Sequence, residues 1–531
     1  MPQLLTRQGV DTLCAPRANP MPAAQRDPGV APPASSSLRS AAKLLGSGVA
    51  VLAGCAMGLL QPPARAAELL QLKLPVLGDT LSARVSELAS PEALWAGNSD
   101  LAELNRATDG HFASAINDFI NHPLPEIQDG DGGFPMVQQM EVLLKQLIEL
   151  DPGQGAIVDQ EPINAALLRL KAKGEKATLL SLLAELPVQK VTIRLDQAVT
   201  FLRRLQLQSK DLAGLIARYP RLPPAAPKDL LPGPFPIQTR VVTLPAAAGA
   251  EALQVTVVRP IGTPTLAPVV ISHGLWDSPT SFLGWAQSLA SHGAPVFLPR
   301  HPGSDINQQA AMLAGKAPPP DPKEFLRRPG EVRAVLDALD AGTLPGAEAI
   351  RARAVTFIGH SWGGTTALQL AGARSLPTAL WQDCKERQSP QRNISWVLQC
   401  TFLPAATKAS LADPRIVRVA AVSPPQGLVF AAGLVDLKVP VLLVSGSRDF
   451  VVPSEPEALL PYALYPQGLK QLVVAEGGTH FNLPALATSN GGPLRLLLLR
   501  WVQGKVIKPT SALSDPHSLP LRLRPQQGPQ R

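Results

Sequence analysis

The chain has 531 residues, 45% hydrophobic and 17% charged. That balance excludes a wholly disordered chain. At roughly 100–200 residues per domain, the length leaves room for two to four domains, or one large domain with extensions. The formal charge of +8 would suit a nucleic-acid partner, but six basic and two acidic residues precede Glu68, and four basic and one acidic follow Val506, so one net positive charge falls on the middle. A nucleic-acid binder needs a basic face on its folded body, and none is expected here.

The first segment, 1–67, reads as a leader. Arg39 and Lys43 precede a mostly apolar run from Leu44 to Leu60, and Pro62-Pro63 and Ala64-Arg65-Ala66 follow. A basic region, an apolar run and an A-x-A site make a secretory signal peptide, cleaved near Ala66, with Met21 a better start than Met1. Two rivals remain open. Leu52-Ala53-Gly54-Cys55 resembles a lipobox that would put a lipid on Cys55, and residues 44–60 could stay as a membrane anchor, although 17 residues are marginal for a span. All three export the rest of the chain, to the periplasm or beyond. Cys14 and Cys55 fall in the leader, which leaves Cys384 and Cys400. In an oxidising compartment such a pair reads as a disulfide, the alternative being two free thiols. No set of residues has metal-ligand spacing.

Residues 68–207 read as a small all-α domain. Met136, Val137, Met140, Leu143, Leu144, Leu147 and Ile148 recur at helical spacing until Asp151-Pro152-Gly153. Ile163 to Leu170 and Leu179 to Leu186 repeat the pattern, and Asp196 is placed to cap a helix through Arg204. Asp129 to Gly133 lacks the third acidic position and closing Glu of an EF-hand, so it reads as a Gly-rich turn. Residues 208–236 read as a Pro-rich linker, with seven prolines from 218 onward.

From 237 to 506 the pattern changes. Short apolar runs (Pro268 to Ser272, Ala294 to Leu298, Ala354 to Ile358, Ile416 to Val422, Val439 to Ser445, Lys470 to Ala475) alternate with amphipathic stretches at Ser281 to Ala290, Gly330 to Leu339, Gly364 to Ala371 and Leu494 to Val502. Such alternation predicts an α/β domain, a mostly parallel sheet with helices on both faces. Residues 507–531, rich in Pro, Arg and Gln, read as a disordered tail.

Gly359-His360-Ser361-Trp362-Gly363 is G-x-S-x-G, set between an apolar strand and a helical run. That is the context a nucleophile elbow requires. A serine hydroxyl needs a base, and in this arrangement the acid and then the histidine follow the serine. Only His480 and His517 follow Ser361; His517 lies in the tail, so His480 is the candidate base. Asp449, just past the Val439 to Ser445 strand, is the candidate acid, because it falls on the same rim of the sheet as Ser361. The backbone N–H groups of Trp362 and Leu275, the latter in Ser272-His273-Gly274-Leu275-Trp276, are candidate oxyanion donors. Trp276, Phe450 and Phe481 are candidates to line the substrate pocket. His273 is expected to order its loop, and His360 to point away from the site.

Val270 to Gly274, Pro299 to Ser304, the elbow, Pro440 to Asp449 and Gly477 to Phe481 together resemble the secreted α/β-hydrolases related to platelet-activating-factor acetylhydrolase. They are similar also to dienelactone-hydrolase-like proteins and cutinase-type polyester hydrolases. The resemblance covers about residues 237–504. It implies the α/β-hydrolase fold and a serine carboxylic-ester hydrolase with Ser361, Asp449 and His480 as triad. Serine in place of the cysteine of true dienelactone hydrolases speaks against dienelactone as substrate. Residues 68–207, and Leu179 to Leu205 above all, resemble a helical domain of unknown function that precedes such hydrolases in cyanobacterial proteins. The long segment 375–415, with Trp381, Cys384, Trp396 and Cys400, reads as a disulfide-pinned cap, or else as an elaborated surface loop.

The function expected is an exported serine esterase or lipase acting on an ester with an apolar acyl chain, needing no cofactor and no metal. Peripheral contact with a membrane is compatible with this, and protein partners are not indicated. The alternatives are a catalytically silent binding protein on the same fold, or an amidase, peptidase or haloperoxidase using the same residues.

Overall fold

The computed structural model describes residues 66–73, 80–110, 147–151, 162–194, 212–245, 252–313, 316–386 and 391–525, with a few single residues between these stretches. The leader, its rival readings at Cys55 and 44–60, the Asp129 to Gly133 turn, the helical pattern from Met136 to Leu144 and the Asp196 cap lie outside the described residues, whereas Ile148, expected in that helix, opens a strand. No helix among the described residues is long and apolar enough to cross a membrane.

The expectation of an all-α segment at 68–207 is corrected by a four-stranded sheet. Strands β1 (Leu69–Lys73), β2 (Thr80–Arg84), β3 (Ile148–Asp151) and β4 (Lys190–Arg194) run in the order β2-β1-β4-β3. β1 pairs parallel with β4, and the two outer pairs are antiparallel. Lys190–Arg194 alternates outward Lys190, Thr192 and Arg194 with inward Val191 and Ile193, the period of a strand with one buried face. Helices do cover it: α1 (Pro91–Ala96), α2 (Asp100–Ala107), α3 (Pro162–Ala172) and α4 (Leu179–Glu185). Leu101, Ile163, Leu170, Leu182 and Leu183 share a core with Leu70 and Val191. Each strand is only four or five residues long, and β1 meets β4 across more than a hundred residues, which is why the longer leucine patterns made helix the more legible element.

Residues 237–523 contain a nine-stranded sheet. In chain order its strands are β5 (Ile237–Leu244), β6 (Leu253–Pro260), β7 (Val269–Ser272), β8 (Val296–Pro299), β9 (Val355–His360), β10 (Ile416–Val422), β11 (Val441–Gly446), β12 (Lys470–Ala475) and β13 (Leu521–Leu523). Their spatial order is β13-β12-β11-β10-β9-β7-β8-β6-β5. The strands from β8 through β12 are parallel neighbours, and β5, β6 and β13 are antiparallel edges. Adjacent residues of each strand feed opposite faces. Phe357, Val419, Ala421, Leu443 and Val474 join the core under α8 (Glu324–Ala341) and α9 (Trp362–Leu370). Ile358, Ala420, Leu442, Val444 and Val473 join the core under α6 (Leu283–Ser291) and α11 (Arg495–Val502). The parallel centre is therefore buried on both sides, as a sheet with crossover helices must be.

Two boundary readings are also corrected. The proline-rich stretch 208–236 is not a loose linker. Its helix α5 (Leu212–Ala217) buries Leu212 and Ile216 in the sheet core, and the Leu222 and Ala225 N–H groups donate to Leu521 and Ser514 carbonyls. Nor is 507–525 a disordered tail: Ile507, Leu513, Leu521 and Leu523 are buried, and β13 closes the open edge beside β12. Prolines in both segments suppress helix but leave carbonyls free to accept, so each segment pairs with the other.

Candidate active site

The central strands run parallel, so the loops leaving their carboxyl ends meet on one rim. β9 ends at His360, and Ser361 follows with φ 53° and ψ −124°, a backbone conformation that an L-residue holds only under constraint. The constraint is visible. Ser361 N–H donates to the Val422 carbonyl at the end of β10 (2.8 Å), and its own carbonyl accepts from Gly364 and Thr365 in the first turn of α9. A Cβ on Gly359 would lie 2.0 Å from the Gly363 carbonyl oxygen, and one on Gly363 would lie 2.1 Å from the Ser272 carbonyl oxygen. Both flanking glycines are thus required by close approach.

His480 and Asp449 come together as the sequence predicts. Asp449 Oδ2 accepts from His480 Nδ1 at 2.8 Å, and both side chains are buried. Asp449 Oδ1 accepts from the Val451 and Val452 N–H groups at 3.0 and 2.7 Å, so the carboxylate is fixed from its other oxygen. The two loops are joined by the Arg448 N–H, which donates to the Gly478 carbonyl at 2.7 Å. Thr479 and Asn482 brace the turn around His480 through hydrogen bonds to its backbone neighbours. Among the described residues, no hydrogen bond joins the Ser361 hydroxyl to His480; in resting sites this contact is commonly long and tightens with substrate.

His360 corrects an expectation. It does not point away: its ring lies 4.6 Å from that of His480, centroid to centroid, and 5.6 Å from Phe282. The 477–482 loop folds back over the end of β9, so the residue before the nucleophile becomes the floor under the base. Burial, and next the proximity of His480, hold His360 well below the ordinary histidine range, so it is neutral.

The loop after β7 lies against the nucleophile: a Cβ on Gly274 would stand 3.1 Å from Ser361 Cβ and 3.6 Å from its Oγ. Trp276 N–H is committed to the Ser304 carbonyl (2.8 Å), whereas the Leu275 N–H has no protein acceptor among the described residues. The Trp362 N–H opens α9, where a helix leaves its first amides without helical partners. Trp276, with φ 58°, donates from its indole to Gln308 at 3.0 Å. Phe450 and Phe481 rings lie 6.0 Å apart, and Phe481 meets the His480 ring edge-on at 5.4 Å. Leu275, Trp276, Phe450 and Phe481 are all half-buried.

Behind the loop is a polar network that sequence reasoning did not find. His273, expected to order the loop, does so: its Nδ1 donates to the Gly274 carbonyl (2.8 Å), and its Nε2 accepts from His301 N–H (3.2 Å). His301 bridges Ser272 Oγ (2.8 Å) and Glu331 (2.6 Å). Burial keeps both imidazoles well below the usual range. Burial also pushes Glu331 up to about 7 and Asp277 up to about 6. Arg328, with no exposure at all, is pushed down to about 10 by burial and stays charged at neutral pH.

Cys384 and Cys400 form a disulfide. It ties the turn Ala379–Glu386 to α10 (Ile394–Phe402) within the 375–415 excursion. Phe402 packs its ring 4.2 Å from Trp362. Buried Glu457 accepts from Ser395 and Gln399 of α10 and from the Gln426 and Gly427 N–H groups.

Residues 269–489 match the family model described as alpha/beta hydrolase family. The fold of this unit is that of an alpha/beta hydrolase. The match supports placing the chain in that superfamily and supports a hydrolase activity. No curated protein matches the chain.

Proposed function

We propose that the chain is an exported serine hydrolase of carboxylic esters. The observation that carries the reading is the 2.8 Å bond from His480 Nδ1 to a carboxylate that is itself pinned by two amides, on the rim where Ser361 stands in a strained elbow. Ser361 Oγ attacks the ester carbonyl as His480 Nε2 takes its proton. Asp449 holds the tautomer and stabilises the imidazolium. The Leu275 and Trp362 N–H groups receive the oxyanion. His480 then protonates the leaving alcohol, and water, activated by the same imidazole, releases the acyl group from Ser361.

Leu275, Trp276, Phe450 and Phe481 offer the substrate an uncharged border, which favours an apolar acyl chain. The disulfide favours an oxidising compartment, in keeping with the leader. The test is turnover by the full chain of p-nitrophenyl esters from acetate to laurate, beside the matching p-nitroanilides. The reading expects ester turnover that depends on Ser361 and rises with chain length over part of the series. Preferential anilide turnover would make the protein an amidase, and turnover of neither would leave a binding protein.

A further inference from the structure

Besides His273, one buried cation holds the oxyanion loop from behind. Arg328 Nη1 donates to the His273 carbonyl at 2.7 Å and Nη2 to the Gly274 carbonyl at 3.0 Å. Its other donors reach the Ser304 hydroxyl (2.9 Å) and carbonyl (3.2 Å). A planar guanidinium with a fixed fork can hold two consecutive carbonyls, where an ammonium acts as a point charge. In a trans peptide the N–H is directed opposite to the C=O. With the Gly274 carbonyl aimed at Arg328, the Leu275 N–H is aimed away from it. Ser361 lies against the same residue, its Cβ 3.1 Å and its Oγ 3.6 Å from where a Cβ on Gly274 would stand.

The helix that carries the guanidinium is also bonded to the helix that begins at the nucleophile. Arg328 precedes Pro329, which lies inside α8 and has no N–H to give the Phe325 carbonyl four residues earlier. Gln369 of α9, the helix that begins at the elbow, donates to that carbonyl instead at 2.8 Å. The proline thus opens a bond that fixes α8 to α9, and Arg328 carries that frame into the loop. Glu324, Glu331, Asp277 and Asp305 surround the buried charge.

We propose that Arg328 is the positioning residue of the oxyanion hole: it sets the direction of the Leu275 N–H relative to Ser361. This rests on the ester-hydrolase reading above. It extends that reading to a residue which touches no substrate.

The test uses the full chain with Arg328→Lys, which keeps the charge but not the fork, and Ser304→Ala, which removes the acceptor behind the guanidinium. Labelling of Ser361 to completion by a fluorophosphonate counts working sites, so kcat is expressed per site and misfolded protein drops out. A trifluoromethyl ketone, whose adduct places an oxyanion in the hole, supplies a second readout. The expected result for Arg328→Lys is a kcat per site at least tenfold lower, with KM within threefold and ketone affinity lowered in proportion to kcat; Ser304→Ala loses severalfold in both. A merely structural role would reduce the number of working sites and leave kcat per site and ketone affinity unchanged, and that result overturns the proposal. If Arg328→Lys does not fold, unchanged per-site values in Ser304→Ala overturn it equally. Absence of any Ser361-dependent p-nitrophenyl ester turnover in the wild-type chain would instead bring down the ester-hydrolase reading, and this proposal with it.

Discussion

Glu331→Gln should stabilise the protein, and increasingly so as pH rises. Glu331 bonds His301 in the buried network, and burial lifts its carboxyl from 4.5 to about 7. A raised carboxyl favours the folded state while it is protonated. That contribution is whole below 4.5 and is lost as pH rises through about 7. The full displacement is worth about 3 kcal/mol at ~1.4 kcal/mol per pH unit. About a quarter of it is already gone at pH 5, because the unfolded carboxyl is largely ionised there. Glutamine keeps an oxygen to accept from His301 and never ionises. Its advantage over wild type should therefore grow by about 2–3 kcal/mol between pH 5 and pH 8. Asp277 titrates in both proteins and cancels from the difference. Equilibrium urea unfolding of both chains at the two pH values measures this. A pH-independent difference between them would refute the assignment of Glu331 as a desolvated acid.

Other outcomes follow from the same geometry. Asp449→Asn should keep the fold and lower kcat by about 10⁴-fold, because the imidazole loses its tautomer control; steady-state kinetics with circular dichroism checks both parts. Replacing Cys384 and Cys400 by serine should cost about 3 kcal/mol, the value for a closed loop of about this length, read by urea unfolding against wild type with the disulfide intact. Leu521→Ala should cost about 2–5 kcal/mol, since Leu521 is fully buried where β13 closes the sheet; a cost under 0.5 kcal/mol would mean the edge strand is dispensable.

The sequence was most informative where function is local. The elbow lies within seven residues of one strand end, and chain order then left two histidines and a strand-end aspartate. A loose tail would set His517 aside, a ground that the ordered 507–525 segment removes, and it is the His480–Asp449 bond that decides between them. The parallel strands were legible as apolar runs bounded by turns. The antiparallel pair β5–β6 was not, because β5 lies at an exposed edge and Gln238, Thr239, Arg240 and Thr243 interrupt its apolar residues. The Leu69–Lys73 and Lys190–Arg194 pairing was hidden by its long separation. Arg328, His301 and Glu331 read as ordinary charged and polar residues. Only folding brings them from β8 and α8 to the back of a loop after β7. His360 was misplaced for the same reason, since the ring that covers it lies 120 residues further along the chain.

The account stands on an activated Ser361. The most direct test is to treat the full chain with a fluorescent fluorophosphonate, beside Ser361→Ala, and to map the labelled peptide. The account predicts one label, on Ser361, absent from the variant and slowed by Asp449→Asn. A folded protein that takes no label, or takes it equally with alanine at 361, would contradict it.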